Sequence, residues 1–224
     1  MQLHVDALYV HDARGRLLAR NEPGAPEPPR FFLGRTRTGT LWRLAADLPE
    51  SLVRELARLA ARERAPADLA QEPERLAALR LRLEEHAPIE RVWRGPALRF
   101  PEQLPEAPGA MPLDTDGRAR AAERFHHVPE LAAREPVVGA FAEGELASVC
   151  FAATGPGPAL EAGLETLPGF RGRGLATQAA AAWARHVRGA GRIPLYSTAA
   201  ENGPSRRVAR RLGLIAYGWD LHLG

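Results

Sequence analysis

The segment EAGLETLPGFRGRGLAT, residues 161–177, ends in a turn with little side-chain bulk apart from two arginines. A turn that only packs needs one glycine. This one has Gly172 and Gly174 two apart, flanked by Arg171 and Arg173, and Leu175, Ala176 and Thr177 lead into an alanine-rich run. The first amides of a helix have no partner inside it, and the aligned peptide dipoles leave partial positive charge there. An anion seated at such a start gains charge-assisted hydrogen bonds, provided no side chain blocks its approach. The residue types therefore fit a diphosphate cradle. A Walker-type phosphate loop is excluded, because the chain contains no lysine. The dinucleotide fingerprint G-x-G-x-x-G is met at Gly172 and Gly174 but has Thr177 in third place, and only ~50 residues follow, against about 30 or more for each βαβ unit.

Other chemistry is sparse. Cys150 is the one cysteine, so there is no intramolecular disulfide and no thiolate metal cluster, and its setting in ASVCFAA reads as core. His126 and His127 are adjacent without a third ligand at metal spacing, so no metal is expected. The 224 residues are 45% apolar and 25% charged, ordinary for a globular protein with a real core. All thirty basic residues are arginine, which reads as codon usage in a GC-rich genome. The net charge is only +3, and the sequence pI near 9.7 reflects the high pKa of arginine. The densest basic stretch, SRRVARR at 205–211, is short for a nucleic-acid footprint, which argues against that class of partner. No apolar run nears the ~20 residues of a membrane span, and MQLHVDALYVHDARGR carries no leader pattern. The expectation is a soluble cytoplasmic protein with no membrane partner.

The elements that must position the turn follow from periodicity. ALYVHDARGRLLARN suggests a hairpin turning at Arg14-Gly15, and RFFLGRTRTGTLWRLAAD a second near Thr38-Gly39. PESLVRELARLAARERAP places Leu52, Leu56 and Leu59 on one helical face and stops at Pro66; Leu76, Leu79 and Leu83 repeat the pattern. IERVWRGPALRFP reads as a strand and PEQLPEAPGAMPL as a proline-rich loop, so the predicted division is 1–100, a small α+β domain, and 101–224, with the boundary between 86 and 111. Beyond it come two short helices (DGRARAAERFHHV and PELAARE), two strands hinged at Glu143-Gly144, the strand LEAGLETLP, the glycine turn with its helix, the strand RIPLYSTAA, the helix GPSRRVARRLG and a closing strand.

From about Met111 to Gly224 the sequence resembles the GCN5-related N-acetyltransferases. TLPGFRGRGLAT, with Arg171, Gly174 and Ala176 in an R-x-x-G-x-A pattern, is similar to that family's acyl-CoA pyrophosphate loop; ENGPSRRVARRLGL resembles its Asn-x-x-Ala/Ser segment; and the order β-β-β-α-β-α-β fits its sheet. The match looks closest to a bacterial subgroup with an extra N-terminal domain. The resemblance implies an α+β fold with a central mixed sheet flanked by helices, acetyl-CoA as co-substrate and no metal. The amides of Gly172, Arg173, Gly174, Leu175, Ala176 and Thr177 would hold the pyrophosphate beside Arg171. Pantetheine would lie between parted strands near Thr166 and Leu167, bordered by Asn202 and Ser205.

Acyl transfer to an amine needs a base, an oxyanion donor and a proton for the thiolate. Glu165, six residues before Arg171, is the candidate base, with Glu161 at i−4 as a relay through water. The family's usual thiol-protonating tyrosine, four residues before Gly213, is Ala209 here, so Tyr196 and Ser197 stand as substitutes. His126 and His127 fall where the family builds its acceptor pocket. The sequence thus reads as an N-acyltransferase, an acetyltransferase by preference, acting by direct attack on a small-molecule or peptide amine. The alternatives are an acyl-CoA-binding sensor or scaffold, consistent with Ala209, and an arginine-rich nucleic-acid-associated protein. A homodimer is compatible with the family.

Overall fold

The computed structural model describes residues 1–224. Gln2–Leu8 forms helix α1, followed by a small two-stranded ribbon, β1 (Tyr9–His11) and β2 (Leu17–Arg20). The second hairpin is β3 (Phe31–Thr36) and β4 (Gly39–Leu44), and two helices follow, α2 (Glu50–Ala60) and α3 (Leu76–His86). Strands β5 (Val92–Arg99) and β6 (Ala110–Pro112) lead to helix α4 (Thr115–Arg124). The remainder runs β7 (Val138–Ala142), β8 (Glu145–Ala152), β9 (Ala159–Thr166), α5 (Leu175–Gly189), β10 (Ile193–Ser197), α6 (Gly203–Arg211) and β11 (Ile215–Leu223).

Nine strands form one mixed sheet in the order β4-β3-β11-β5-β10-β9-β8-β7-β6. Strands from the two halves of the sequence interleave: β5 lies between β10 and β11, antiparallel to both, and β3 pairs β11 from Phe31↔Leu223 to Arg35↔Trp219. The chain between 86 and 111 therefore crosses from one part of a shared sheet to another.

Helix α5 packs Ala180, Trp183, Ala184 and Val187 on one face of the sheet, against Cys150, Leu160, Leu98 and Phe100. Its alanines let the helix lie close, and the Trp183 indole donates to the Pro136 carbonyl. Helices α2 and α3 bury the leucine stripes against Phe31, Leu33 and Leu221, and α4 covers Val149 and Phe151. Where the sequence read PELAARE as a helix, only the 3-10 turn Leu131–Ala133 forms, and α2 ends at Ala60, before Pro66.

Helix α1 had no counterpart in the sequence reading, because about two turns are too short to display a period. It is held by tertiary contacts: Val5 and Ala7 are buried, and Met1 fills a groove over Gly34 and Gly218, where any Cβ would strike the Met1 side chain. That close approach sets His4 against the sheet. No helix is long and apolar enough to cross a membrane.

Candidate functional site

Strands β9 and β10 run parallel and pair only at Ile193↔Ala159, Pro194↔Leu160 and Leu195↔Glu161. Beyond Glu161 they part. β9 continues antiparallel to β8 from Ala162 to Thr166, while β10 continues along β5 to Ser197. The fork opens into a cleft of about 680 Å³. Ala162, Leu164, Glu165 and Thr166 line one wall, Tyr196 to Ala199 the other, and the start of α5 closes the wide end.

That helix start is bare. Gly174 is its N-cap at φ 84°, and no side chain caps the first turn. Gly172 sits at φ 80°, and a Cβ at either position would meet no neighbouring atom. The glycines are thus demanded by backbone conformation, which costs other residues about 1–2 kcal/mol, and their openness leaves the amides of the turn accessible. Gly172, Gly174, Leu175, Ala176 and Thr177 all face the cleft, as does Arg171, whose Nε donates to the Thr166 carbonyl at 3.2 Å. Arg173 is turned elsewhere: it pairs with Glu143 at 2.6 Å and lies over the Phe170 ring. Leu167 also lies outside the cleft lining and packs beside Val149 and Phe151.

Across the cleft, Asn202 caps α6 by accepting from the Ser205 amide at 3.1 Å, and both residues border the cavity. The Tyr196 hydroxyl and Ser205 Oγ are 2.6 Å apart. Burial pushes the Tyr196 phenol up to about 12, so it keeps its proton at neutral pH. Ala209 lies one helical turn after Ser205, packed in the same core as the Tyr196 ring.

The candidate carboxylates occupy different surroundings. Glu165 is on the cleft wall with 37% of its side chain exposed, and His127 Nε2 lies 3.5 Å from its Oε2. His126 stacks edge-on against His127 with ring centroids 5.9 Å apart; neither histidine lines the cleft. Glu161, at the vertex of the fork, is 5% exposed and neither of its oxygens has a hydrogen-bond partner. His4 Nδ1 is 3.6 Å from Glu161, and His4 Nε2 is 2.5 Å from Asp220 Oδ2. Burial raises the Glu161 pKa, and the charge of His4 and the neighbouring Ser197 pull it back in part. Burial alone would lower His4, but Asp220 and Glu161 lift it to about 9, so it is an imidazolium at neutral pH. Cys150 is fully buried, and its thiol is pushed far up by burial, which removes it as a nucleophile.

Several cleft residues escaped the sequence reading. Trp93 comes from β5, which no local pattern connects to the glycine turn. The arginines of SRRVARR, by contrast, are candidates the sequence itself offers for the nucleotide 3′-phosphate against a solvated helix face, and Arg207 and Arg211, four apart on α6, both line the cavity.

Comparison with known proteins places this geometry. Residues 137–221 match the family model described as FR47-like protein. The chain is similar in structure to an acetyltransferase from the GNAT family from Colwellia psychrerythraea, at 13% identity and TM-score 0.52, over 82% of this chain and 75% of that one. It is also similar to a GNAT-family protein from Novosphingobium aromaticivorans, at 20% identity and TM-score 0.51, over 61% and 66%. A GCN5-related N-acetyltransferase from Kribbella flavida aligns at 22% identity and TM-score 0.50, over 67% of this chain and 63% of that one. The matched region thus spans just under two thirds of the Novosphingobium and Kribbella proteins. A search of the curated proteins finds no match. At these identities the structural likeness is one of fold.

Proposed function

We propose that the chain is a GCN5-related N-acetyltransferase, a reading supported by the FR47-like match over residues 137–221 and by the likeness of fold, and that it transfers an acetyl group from acetyl-CoA to an amine by direct attack in a ternary complex. The observation that carries this reading is the fork: one continuous cleft joins the uncapped start of α5 to the point where β9 and β10 part.

Acetyl-CoA supplies the activated thioester. The amides at the start of α5 and Arg171 hold its diphosphate, and the pantetheine arm follows β9, between Thr166 and the Asn202–Ser205 side of α6. The distance from Thr166 back to Ala162 is about 13 Å at ~3.3 Å per residue, so the thioester reaches the vertex. A β9 amide that no longer pairs with β10 is available to the developing oxyanion.

The acceptor must lose a proton. An alkylammonium lies about 3 pH units above neutrality, equivalent to roughly 4–5 kcal/mol. Glu161 is the better-placed base, because it sits at the vertex and burial raises its basicity. Glu165, nearer the wide end with His127, lies on the acceptor's route and can pass a proton to water. As the amine nitrogen bonds to the carbonyl carbon, its proton goes to Glu161. The carbon–sulfur bond then breaks; the Tyr196 hydroxyl, held by Ser205, donates a hydrogen bond to the departing thiolate, which takes its proton from solvent. Tyr196 reaches α6 one turn before Ala209, so a phenol from the neighbouring strand stands in for the absent helix tyrosine.

A second reading, acyl-CoA binding without turnover, is favoured by Ala209 alone. Release of free thiol from acetyl-CoA across an amine panel, with the acetylated acceptor identified by mass, separates the two. Glu161→Gln is expected to lower kcat by about 10²–10⁴ with unchanged coenzyme A affinity, and Glu165→Gln by less. Coenzyme A binding with no acceptor-dependent thiol release would leave only the sensor.

A further inference from the structure

A second cavity, of about 230 Å³, meets the cleft at the vertex: Trp93, Ala162 and Ser197 line both. Its remaining wall combines the N-terminal part of the chain, Leu8, Arg20 and Glu22, with Glu161, Thr154 and His222. At ~30 Å³ per water it has room for roughly eight non-hydrogen atoms, enough for a small metabolite and too little for a folded chain.

Its polar groups are of two kinds. Glu161 is buried; Ser197 and the His4 ring, 3.6 Å away, are its polar neighbours, but neither of its oxygens is in a hydrogen bond of good geometry, a costly arrangement for a carboxylate unless something else completes it. Behind it, His4 as an imidazolium is held by Asp220, so an ionised Glu161 leaves the buried group one negative charge in excess. An ammonium would balance that charge. Arg20, also in the lining, forms no ion pair; its Nε donates to the Glu27 carbonyl at 3.3 Å, and its guanidinium lies 6.0 Å from the Tyr9 ring centre. Glu22 is already engaged by Arg134 at 3.2 Å. His222 is neutral, since burial lowers it to about 3. Its Nδ1 is 3.2 Å from the Tyr9 hydroxyl and its Nε2 has no partner; in the tautomer where the hydroxyl donates to Nδ1, the Nε2–H is a free donor. Trp93 stacks on the same ring at 4.6 Å and gives the cavity a flat apolar side.

We infer that this cavity binds the acceptor and that the acceptor is a small amino carboxylate, with its ammonium toward Glu161 and its carboxylate toward Arg20 and the His222 N–H. The inference rests on the transferase reading above and adds the substrate class. It also gives the N-terminal residues a place in specificity.

The test titrates the full chain calorimetrically, with and without saturating coenzyme A. The probes are glycine, β-alanine, 4-aminobutyrate, L-alanine and L-serine, each beside its primary amide, with butylamine as the amine lacking any carboxylate. At least one amino acid should bind tenfold or more tightly than its amide. Arg20→Gln should erase that preference while changing amide binding less than twofold, and Glu161→Gln should weaken both. Equal binding of acids and amides by the wild type, an undiminished preference in Arg20→Gln, or binding of none of the probes would overturn the inference. Selective binding without thiol release from acetyl-CoA would uphold the pocket and retire the transferase reading. The chain has no lysine side chains to acetylate, so thiol release is free of that background.

Discussion

The hydroxyl of Tyr196 lies 2.6 Å from Oγ of Ser205, which ties the strand on one side of the cleft to the helix on the other. The bond fixes the one phenol in the cleft at the place where a thiolate would leave. Tyr196→Phe is expected to lower kcat by about 10²-fold while coenzyme A affinity stays within a factor of two, and Ser205→Ala to lower it by under tenfold. Steady-state thiol release and calorimetry measure the two quantities. An unchanged kcat in Tyr196→Phe would remove the phenol from the reaction.

Gly174 holds φ at 84° with open space around it. Gly174→Ala therefore acts through backbone strain, not crowding. It should cost ~1–2 kcal/mol of stability and at least tenfold in coenzyme A affinity, because the turn's amides shift. Gly169→Ala, in the same loop with open space and no left-handed φ, serves as the control and should leave both within twofold. Urea unfolding and calorimetry read the difference, and equal behaviour of the two variants would contradict the cradle.

Arg207 and Arg211 face the cleft one turn apart, without an ion-pair partner, and suit the 3′-phosphate of coenzyme A. Arg211→Gln is expected to raise KM for acetyl-CoA about fivefold to tenfold with kcat unchanged, and to have no effect on the dephospho analogue. Comparing the two co-substrates in initial-rate measurements checks this; an equal loss for both would place the contact elsewhere.

His4 makes stability depend on pH. Its folded pKa is raised from 6.5 to about 9, so its contribution is complete below 6.5 and is lost as pH rises through about 9. The groups facing it are Asp220, Glu161, Tyr217 and the Met1 α-ammonium, whose charge opposes its own. His222, lowered by burial to about 3, works in the opposite sense and destabilises the fold as pH falls below 6.5. Stability should decline from pH 6.5 to 9 by up to ~3 kcal/mol, and His4→Gln should be less stable at pH 6.5 with a flatter slope. Urea unfolding at the two pH values decides; identical slopes in the two proteins would show that His4 does not hold the proton.

The cleft was legible in the sequence where chemistry is local. Arg171, Gly172, Gly174 and Ala176 declare a backbone conformation and an open helix start within a few residues, and Asn202 and Ser205 form a cap that the sequence spells directly. The secondary structure was legible for the same reason, since leucine spacing and glycine hinges act over one element. Contacts set by sheet order were hidden. Nothing in VWRGPALR shows that Trp93 joins the vertex, because the place of β5 between β10 and β11 depends on pairing with strands more than ninety residues away. The His4–Asp220 bond is concealed in the same way: it joins residues 216 apart, and α1 forms only because Met1, Val5 and Ala7 find a groove in the sheet. Glu161 and Glu165 could be named from spacing, but only the fork between β9 and β10 sets the first at the vertex and the second toward the wide end.

The most direct measurement is a calorimetric titration of the wild-type chain with coenzyme A, repeated with pantetheine, which lacks the diphosphate. One site with a dissociation constant on the order of 1–100 μM is expected for coenzyme A, with binding of pantetheine at least a hundredfold weaker. No heat with coenzyme A at millimolar concentration, or equal affinity for the two, would contradict a diphosphate held at the start of α5.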